Sequence, residues 1–280
     1  MMRTWLFVVL TLSCFLVRAE LVWLEDGTAR CAVDARGARI LSYQVEGDEV
    51  LWCPAVTKAD ENDLWSHGGI PIAWPWFGRI GGGDADIHGY AWKSVFEVVE
   101  KSRIGVCLRL SAQTLRLDYE IRLEAGDLIL SLRTENLSSH PQPFAVGFHP
   151  YFRVGESCLS HVLEEGGEKA SFVNAVDRSI RFAEGKSRWD CTLVDDALAR
   201  RLDISAENAT GVNFWNPGRE KKCPGTIVGD GWRRFIAIEP FVMGTNRFIV
   251  LKPSEKRSLG MRLHVGKTRV KERNEQKGIH

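Results

Sequence analysis

Apolar and polar residues alternate along much of this chain with a period of two. The clearest run is LDYEIRLEAGDLILSLRTEN, residues 117–136. Leu117, Tyr119, Ile121 and Leu123 alternate with polar neighbours. Ala125-Gly126-Asp127 supplies a turn, and Leu128, Leu130 and Leu132 resume the alternation. Side chains along a strand point to opposite faces in turn, so this pattern predicts a hairpin with one buried face. Shorter strands are predicted over 21–25, 29–34, 39–44, 92–100, 104–111, 142–149, 209–215, 235–239 and 247–252. Only 195–204 has a spacing that fits a helix. Many short strands separated by turns predict an all-β fold, a large antiparallel sandwich or barrel.

No linker and no repeat of fixed period divides the body, so 20–267 is read as a single β domain. Residues 268–280 form a polar tail that is expected to fray. Residues 1–19, MMRTWLFVVLTLSCFLVRA, have the layout of a secretory signal: basic Arg3, an apolar run over 5–17, and Val17-Arg18-Ala19 at the cleavage positions. The run is short for a membrane span, and an uncleaved amino-terminal anchor is the other reading. Thr11-Leu12-Ser13 fits poorly as the lead-in to a lipidated Cys14. An exported protein, periplasmic or secreted, is expected if the signal operates, and a cytoplasmic one otherwise.

Composition then narrows the partners. The formal net charge of +1 offers no bulk attraction to nucleic acid or to a membrane surface. Tryptophan is abundant, with 10 residues. Some can be core, but indole faces also suit the C–H faces of a pyranose. Six cysteines follow the leader: Cys31, Cys53, Cys107, Cys158, Cys191 and Cys223. They show no CxxC and no zinc-type spacing with histidine. Export would allow disulfides among them. Buried thiols in apolar strands are the alternative for Cys31 and Cys107.

Two stretches break the alternation. HGGIPIAWPWFGRIGGGDADIHGYAW (67–92) is rich in glycine, proline and tryptophan, and it could line a concave site or be a long surface loop. It has no strand–loop–helix context, so GRIGGGD is no phosphate loop. AVGFHPYFRV (145–154) ends an apolar run on His149, followed by Pro150 and two aromatic residues. Three ionisable groups thus end apolar segments: His88 in IHGY, His149 in GFHPYF and Glu239 in FIAIEPF. A carboxylate at the end of a β core costs several kcal/mol unless partners hold it, so Glu239 carries the strongest signal of the three.

These motifs, in this order, resemble the aldose 1-epimerase (mutarotase) family, and within it the glucose-6-phosphate 1-epimerase branch. GGIPIAWPWFG (68–78), IHGYAW (87–92), GFHPYFRVG (147–155), VDRSI (176–180), NFWNPG (213–218), IAIEPF (236–241) and LKPSEKRSL (251–259) carry the resemblance. It implies a galactose mutarotase-like β-sandwich that binds a sugar or sugar phosphate and needs no cofactor; no metal site is expected, and a monomer is the expectation for the assembly, which the sequence leaves open. It also implies Glu239 as base, His149 as acid, His88 assisting and Asp177 holding sugar hydroxyls. The chemistry suits these groups: a carboxylate removes the O1 proton while a histidinium protonates the ring oxygen. Tyr151 and Phe152 would then wall the imidazole, and Pro150 would end the strand.

The chain departs from the branch at two positions. His67 and Trp92 stand where the branch has arginines, and each change removes a planar cation suited to a phosphate dianion. Arg79 and Arg153 are candidate replacements. Lys93 reads as surface charge. Three expectations follow: epimerisation of a hexose 6-phosphate, the same reaction on unphosphorylated aldoses with Trp92 as a stacking surface, or sugar binding without turnover.

Overall fold

The computed structural model describes residues 20–54, 67–80, 87–165, 167, 169–219 and 227–267. The leader 1–19, the tail 268–280 and Cys223 lie outside the described residues. Described elements are strands and short 3-10 turns, and no helix is long and apolar enough to cross a membrane.

Two large antiparallel sheets face each other. The nine-stranded sheet runs, in spatial order, Lys169–Ser171, Ser160–Glu164, Arg188–Asp195, Arg200–Glu207, Lys256–Lys267, Asp127–Asn136, Leu115–Glu124, Gly105–Ser111 and Glu97–Lys101. The six-stranded sheet runs Val176–Arg181, Gly211–Asn216, Phe235–Val242, Val146–Phe148 and Ile72–Ala73, with Tyr151–Arg153 also paired to Phe235–Val242. A four-stranded sheet over Leu21–Glu49 adds Val22, Leu24, Cys31, Ile40 and Tyr43 to the core.

The alternation explains this layering. Leu117, Tyr119, Ile121, Leu128, Leu130 and Leu132 of the predicted hairpin all lie in the core. From the opposite sheet Val212, Phe214, Ile236, Ile238 and Val242 meet them. Tyr119 and Phe148 touch across the gap with ring centroids 6.0 Å apart. The Trp74 indole N–H donates to Thr134 Oγ1 at 3.1 Å in the same core.

Three sequence expectations change. Residues 195–204 are not helical: Asp195 closes one strand, and Arg200–Glu207 alternates between core and solvent along the next. The apparent helical spacing arose from the tight turn between two amphipathic strands. Residues 142–149 divide at Ala145 into Gln142–Phe144 and Val146–Phe148, which join different sheets. Residues 92–100 contain a 3-10 turn at Ala91–Lys93 before the strand Glu97–Lys101. Cys31, Cys53, Cys107, Cys158 and Cys191 are free thiols. Burial of Cys31 and Cys191 pushes their pKa values up, as expected for inert core thiols.

Candidate active site

The inner strands of the six-stranded sheet are buried on both faces while Val176–Arg181 at its edge is largely exposed, and the two faces differ in chemistry. Along Phe235–Val242, Ile236, Ile238 and Val242 enter the main core, so Phe235, Ala237, Glu239 and Phe241 take the other face. Asn213 and Trp215 share that second face from Gly211–Asn216, since Val212 and Phe214 face the core. Asp177 and Ser179 share it from Val176–Arg181, and Tyr151 from its own strand. Glycine makes room here: a Cβ at Gly147 would sit 2.5 Å from the Phe77 ring, which covers the sheet at that point.

His149 follows the strand Val146–Phe148, and its backbone N–H donates to Pro71 O at 3.0 Å. Its Nε2 lies 3.5 Å from Glu239 Oε1, and both side chains are almost fully buried. The imidazole stacks on Tyr151, with centroids 4.9 Å apart and planes 15° apart. His88 meets its edge at 5.1 Å. Tyr151, Trp215, Phe235 and Trp52 continue as an aromatic wall.

His88 is held by backbone geometry. It and Gly89 both have positive φ, +59° and +74°. A Cβ on residue 89 would lie 2.0 Å from Trp74 O, so only glycine fits there. The His88 N–H donates to Gly78 O at 2.8 Å, and the Gly78 N–H donates to His88 Nδ1 at 3.2 Å. An accepting Nδ1 places the proton of the neutral ring on Nε2.

Burial dominates the electrostatics. It holds His149 well below the ordinary histidine range, with the His88 and His67 rings adding to the effect. It depresses His88 to about 3, helped by His67 and Arg79, and His67 to about 4, helped by Arg39. It pushes Glu239 well above the carboxylate range, and Asp177 adds repulsion while the Asn213 amide opposes the shift. Burial thus favours a neutral carboxyl beside a neutral imidazole. That state holds the same single proton as a carboxylate beside an imidazolium, so one transfer interconverts them.

The remaining candidates separate. Asp177 lies on the site face, 3.5 Å from the Asn213 amide nitrogen, and also influences Glu239. His67 stacks on Trp215 at 5.9 Å with planes 12° apart, as a neutral ring. Trp92 directs its indole N–H to the carbonyls of Ile87 (3.2 Å) and Gly89 (2.9 Å), so it braces the turn that carries His88. Lys93 lies over the Trp92 ring. Arg79 is exposed, and its carbonyl accepts a hydrogen bond from Arg247. Arg153 is exposed at the sheet edge. Sequence reasoning missed two residues. Arg39 donates from Nε to Gly68 O at 3.0 Å and from Nη2 to His67 O, clamping the Gly-Gly turn under the aromatic wall. Asn213 lies between Asp177 and Glu239. Neither had a local signal beyond its strand, although Asn213 lies within the NFWNPG motif.

Among the described residues, no group of three His, Cys, Asp or Glu side chains could hold a metal ion. The polar groups gathered at His149 and Glu239 are proton donors and acceptors ringed by aromatic surface.

The fold is that of a galactose mutarotase-like β-sandwich. A crystal structure of a "putative mutarotase" from Salmonella typhimurium superposes with a TM-score of 0.73 at 20% identity, covering 89% of this chain and 91% of that one. A galactose mutarotase-like protein from Clostridium acetobutylicum gives a TM-score of 0.67 at 15% identity, over 90% and 98% of the two chains. Residues 20–264 match the aldose 1-epimerase family, and the chain belongs to it. Curated relatives named "Putative glucose-6-phosphate 1-epimerase" include one from Escherichia coli K12, 26% identical over 79% of this chain and 82% of its own length. Another, from Salmonella typhimurium, is 25% identical over the same shares. The protein is accordingly an isomerase of the epimerase kind.

Proposed function

We propose that this protein interconverts the α and β anomers of a hexose 6-phosphate, with Glu239 and His149 moving the protons. The observation that carries the reading is the buried Glu239–His149 contact at 3.5 Å, walled by aromatic rings. Ring opening removes the proton from O1 and adds one to O5 as the C1–O5 bond breaks and the C1 carbonyl forms. Rotation about C1–C2 exposes the other carbonyl face, and the reverse transfers close the second anomer. Glu239 as carboxylate accepts from O1, and His149 as imidazolium donates to O5. The single proton shared by the resting pair is the one this step needs. A bound sugar brings hydroxyls that offset the cost of charging both groups. Asp177 and neutral His88, with its proton on Nε2, offer an acceptor and a donor to the remaining hydroxyls.

The phosphorylated substrate is supported by the names of the curated relatives. It is also supported by two cations near the imidazoles: Arg39 depresses His67 and His149, and Arg79 depresses His88. An unphosphorylated aldose is the second reading, favoured by neutral His67 packed against Trp215 where a charged ring would serve a phosphate better. Anomer exchange followed by NMR on glucose and on glucose 6-phosphate, side by side, separates them. Faster exchange of the phosphorylated sugar is expected. A preference for glucose would transfer the assignment to the second reading, and exchange unaffected by Glu239→Gln would remove the acid/base roles.

A further inference from the structure

We infer that Asn213, anchored by Ser179, is a positioning residue that orients Glu239 and separates its carboxyl from Asp177. The inference rests on the acid/base reading of Glu239 and deepens it.

Ser179, Asn213 and Glu239 are direct neighbours on three adjacent strands, with Ser179 paired to Asn213 and Asn213 paired to Glu239. Period-two alternation puts all three on the site face. The Ser179 hydroxyl donates to Asn213 Oδ1 at 2.7 Å. With its oxygen so engaged, the amide turns its NH2 edge toward the acids. Nδ2 lies 3.5 Å from Asp177 Oδ1, and the amide also favours the charged form of Glu239. Asn213 is itself buried.

An amide suits this place for a physical reason. Exposed Asp177 and buried Glu239 flank the strand Gly211–Asn216 from either side, and they repel when both are charged, the more so because Glu239 is shielded from water. An amide NH2 offers each a donor, carries no net charge and does not titrate. The amide's other orientation would turn its oxygen toward two acids and is disfavoured by them, and Ser179 donates to the oxygen of the orientation that remains. Glu239 Oε1 accepts no hydrogen bond among the described residues and faces His149 Nε2. Orientation by Asn213 thus leaves one carboxyl oxygen toward the imidazole. The titratable groups around Glu239 are Asp177 from the strand Val176–Arg181, His149 beyond Val146–Phe148, and, packed on His149, His88 from the turn after Ile87. None can supply a donor of fixed polarity.

The test uses the full-length protein and its Asn213→Ala, Asn213→Gln and Ser179→Ala variants. Two readouts are made: the pH dependence of kcat/KM for glucose 6-phosphate anomerisation, and the Glu239 carboxyl titration by carbon-13 NMR. For Asn213→Ala, we expect kcat to fall about 10- to 100-fold with KM changed less than about 3-fold. The Glu239 titration should move upward in pH, and the limb of the rate profile should follow it. Ser179→Ala should move both in the same direction by less, and Asn213→Gln should restore part of the shift. An unmoved Glu239 titration in Asn213→Ala overturns the inference, whatever happens to activity. So does a rise in KM with kcat and both limbs unchanged, which would make Asn213 a substrate contact. If wild type exchanges no anomers, the catalytic reading fails, yet the NMR titration still decides whether Asn213 governs Glu239.

Discussion

The outer face of the nine-stranded sheet and the site face of the six-stranded sheet use the same residue types to opposite effect. On the outer face the buried carboxylates Asp118 and Asp127 have cationic partners. Asp118 accepts from Arg109 at 2.7 Å and from Arg133 at 3.1 Å. Burial raises its pKa, but the two arginines outweigh it and hold the group low. Asp127 pairs with Arg262 and His264, both at 2.7 Å. On the site face Glu239 meets an imidazole that burial keeps neutral, and its carboxyl is driven up instead. Compensation keeps a carboxylate charged, and its absence lets burial drive the carboxyl toward its protonated form beside the imidazole. A group so displaced from its ordinary range is what the proposed acid/base role requires.

Removing that contrast at its centre should have the largest effect. Glu239→Gln keeps the volume and removes the titrating group, so anomerisation should fall by about 10²- to 10⁴-fold with the fold intact. His149→Asn should act similarly. NMR exchange rates with a circular dichroism control check both. Next comes the scaffold: Gly89→Ala would push a Cβ to 2.0 Å from Trp74 O at positive φ, and should cost about 3 kcal/mol or more in urea denaturation.

The buried histidines come third. His67 and His88 stay neutral in the folded chain down to about 4 and about 3, whereas unfolded histidine binds a proton near 6.5. The unfolded state therefore binds more protons over that window, and stability falls as pH drops below 6.5. Between pH 7 and 5 the loss should be about 2 kcal/mol per histidine. His88→Gln should flatten its share of the slope in urea titrations across pH, and a slope unchanged in the variant would contradict the neutral assignment. Smallest is the outer face. Arg262 is half-exposed, and Arg262→Ala should alter stability by less than about 1 kcal/mol and leave anomer exchange untouched.

The legibility of the molecule followed the range of its interactions. The hairpin over 117–136 was readable because alternation, turn residues and pairing are all local. His149 and Glu239 stood out as ionisable groups ending apolar segments. Residues 195–204 misled because a turn between two amphipathic strands mimics helical spacing over ten residues. Arg39 stayed hidden because its bonds reach His67 and Gly68, remote in sequence. Trp92 reads from the sequence as a stacking surface for an unphosphorylated sugar, and nothing local shows that its N–H also secures the Ile87–Gly89 backbone, a contact set by how the turn closes.

The sequence by itself determined the strands, the order of the motifs and the residue types able to move a proton, since alternation and motif spacing are written along the chain. Tertiary structure decided which sheet face Glu239 occupies, that Asn213 stands between it and Ser179, and that three histidines are neutral. Those outcomes depend on cross-strand register and on burial, and both are set by neighbours that the chain brings together only when it folds.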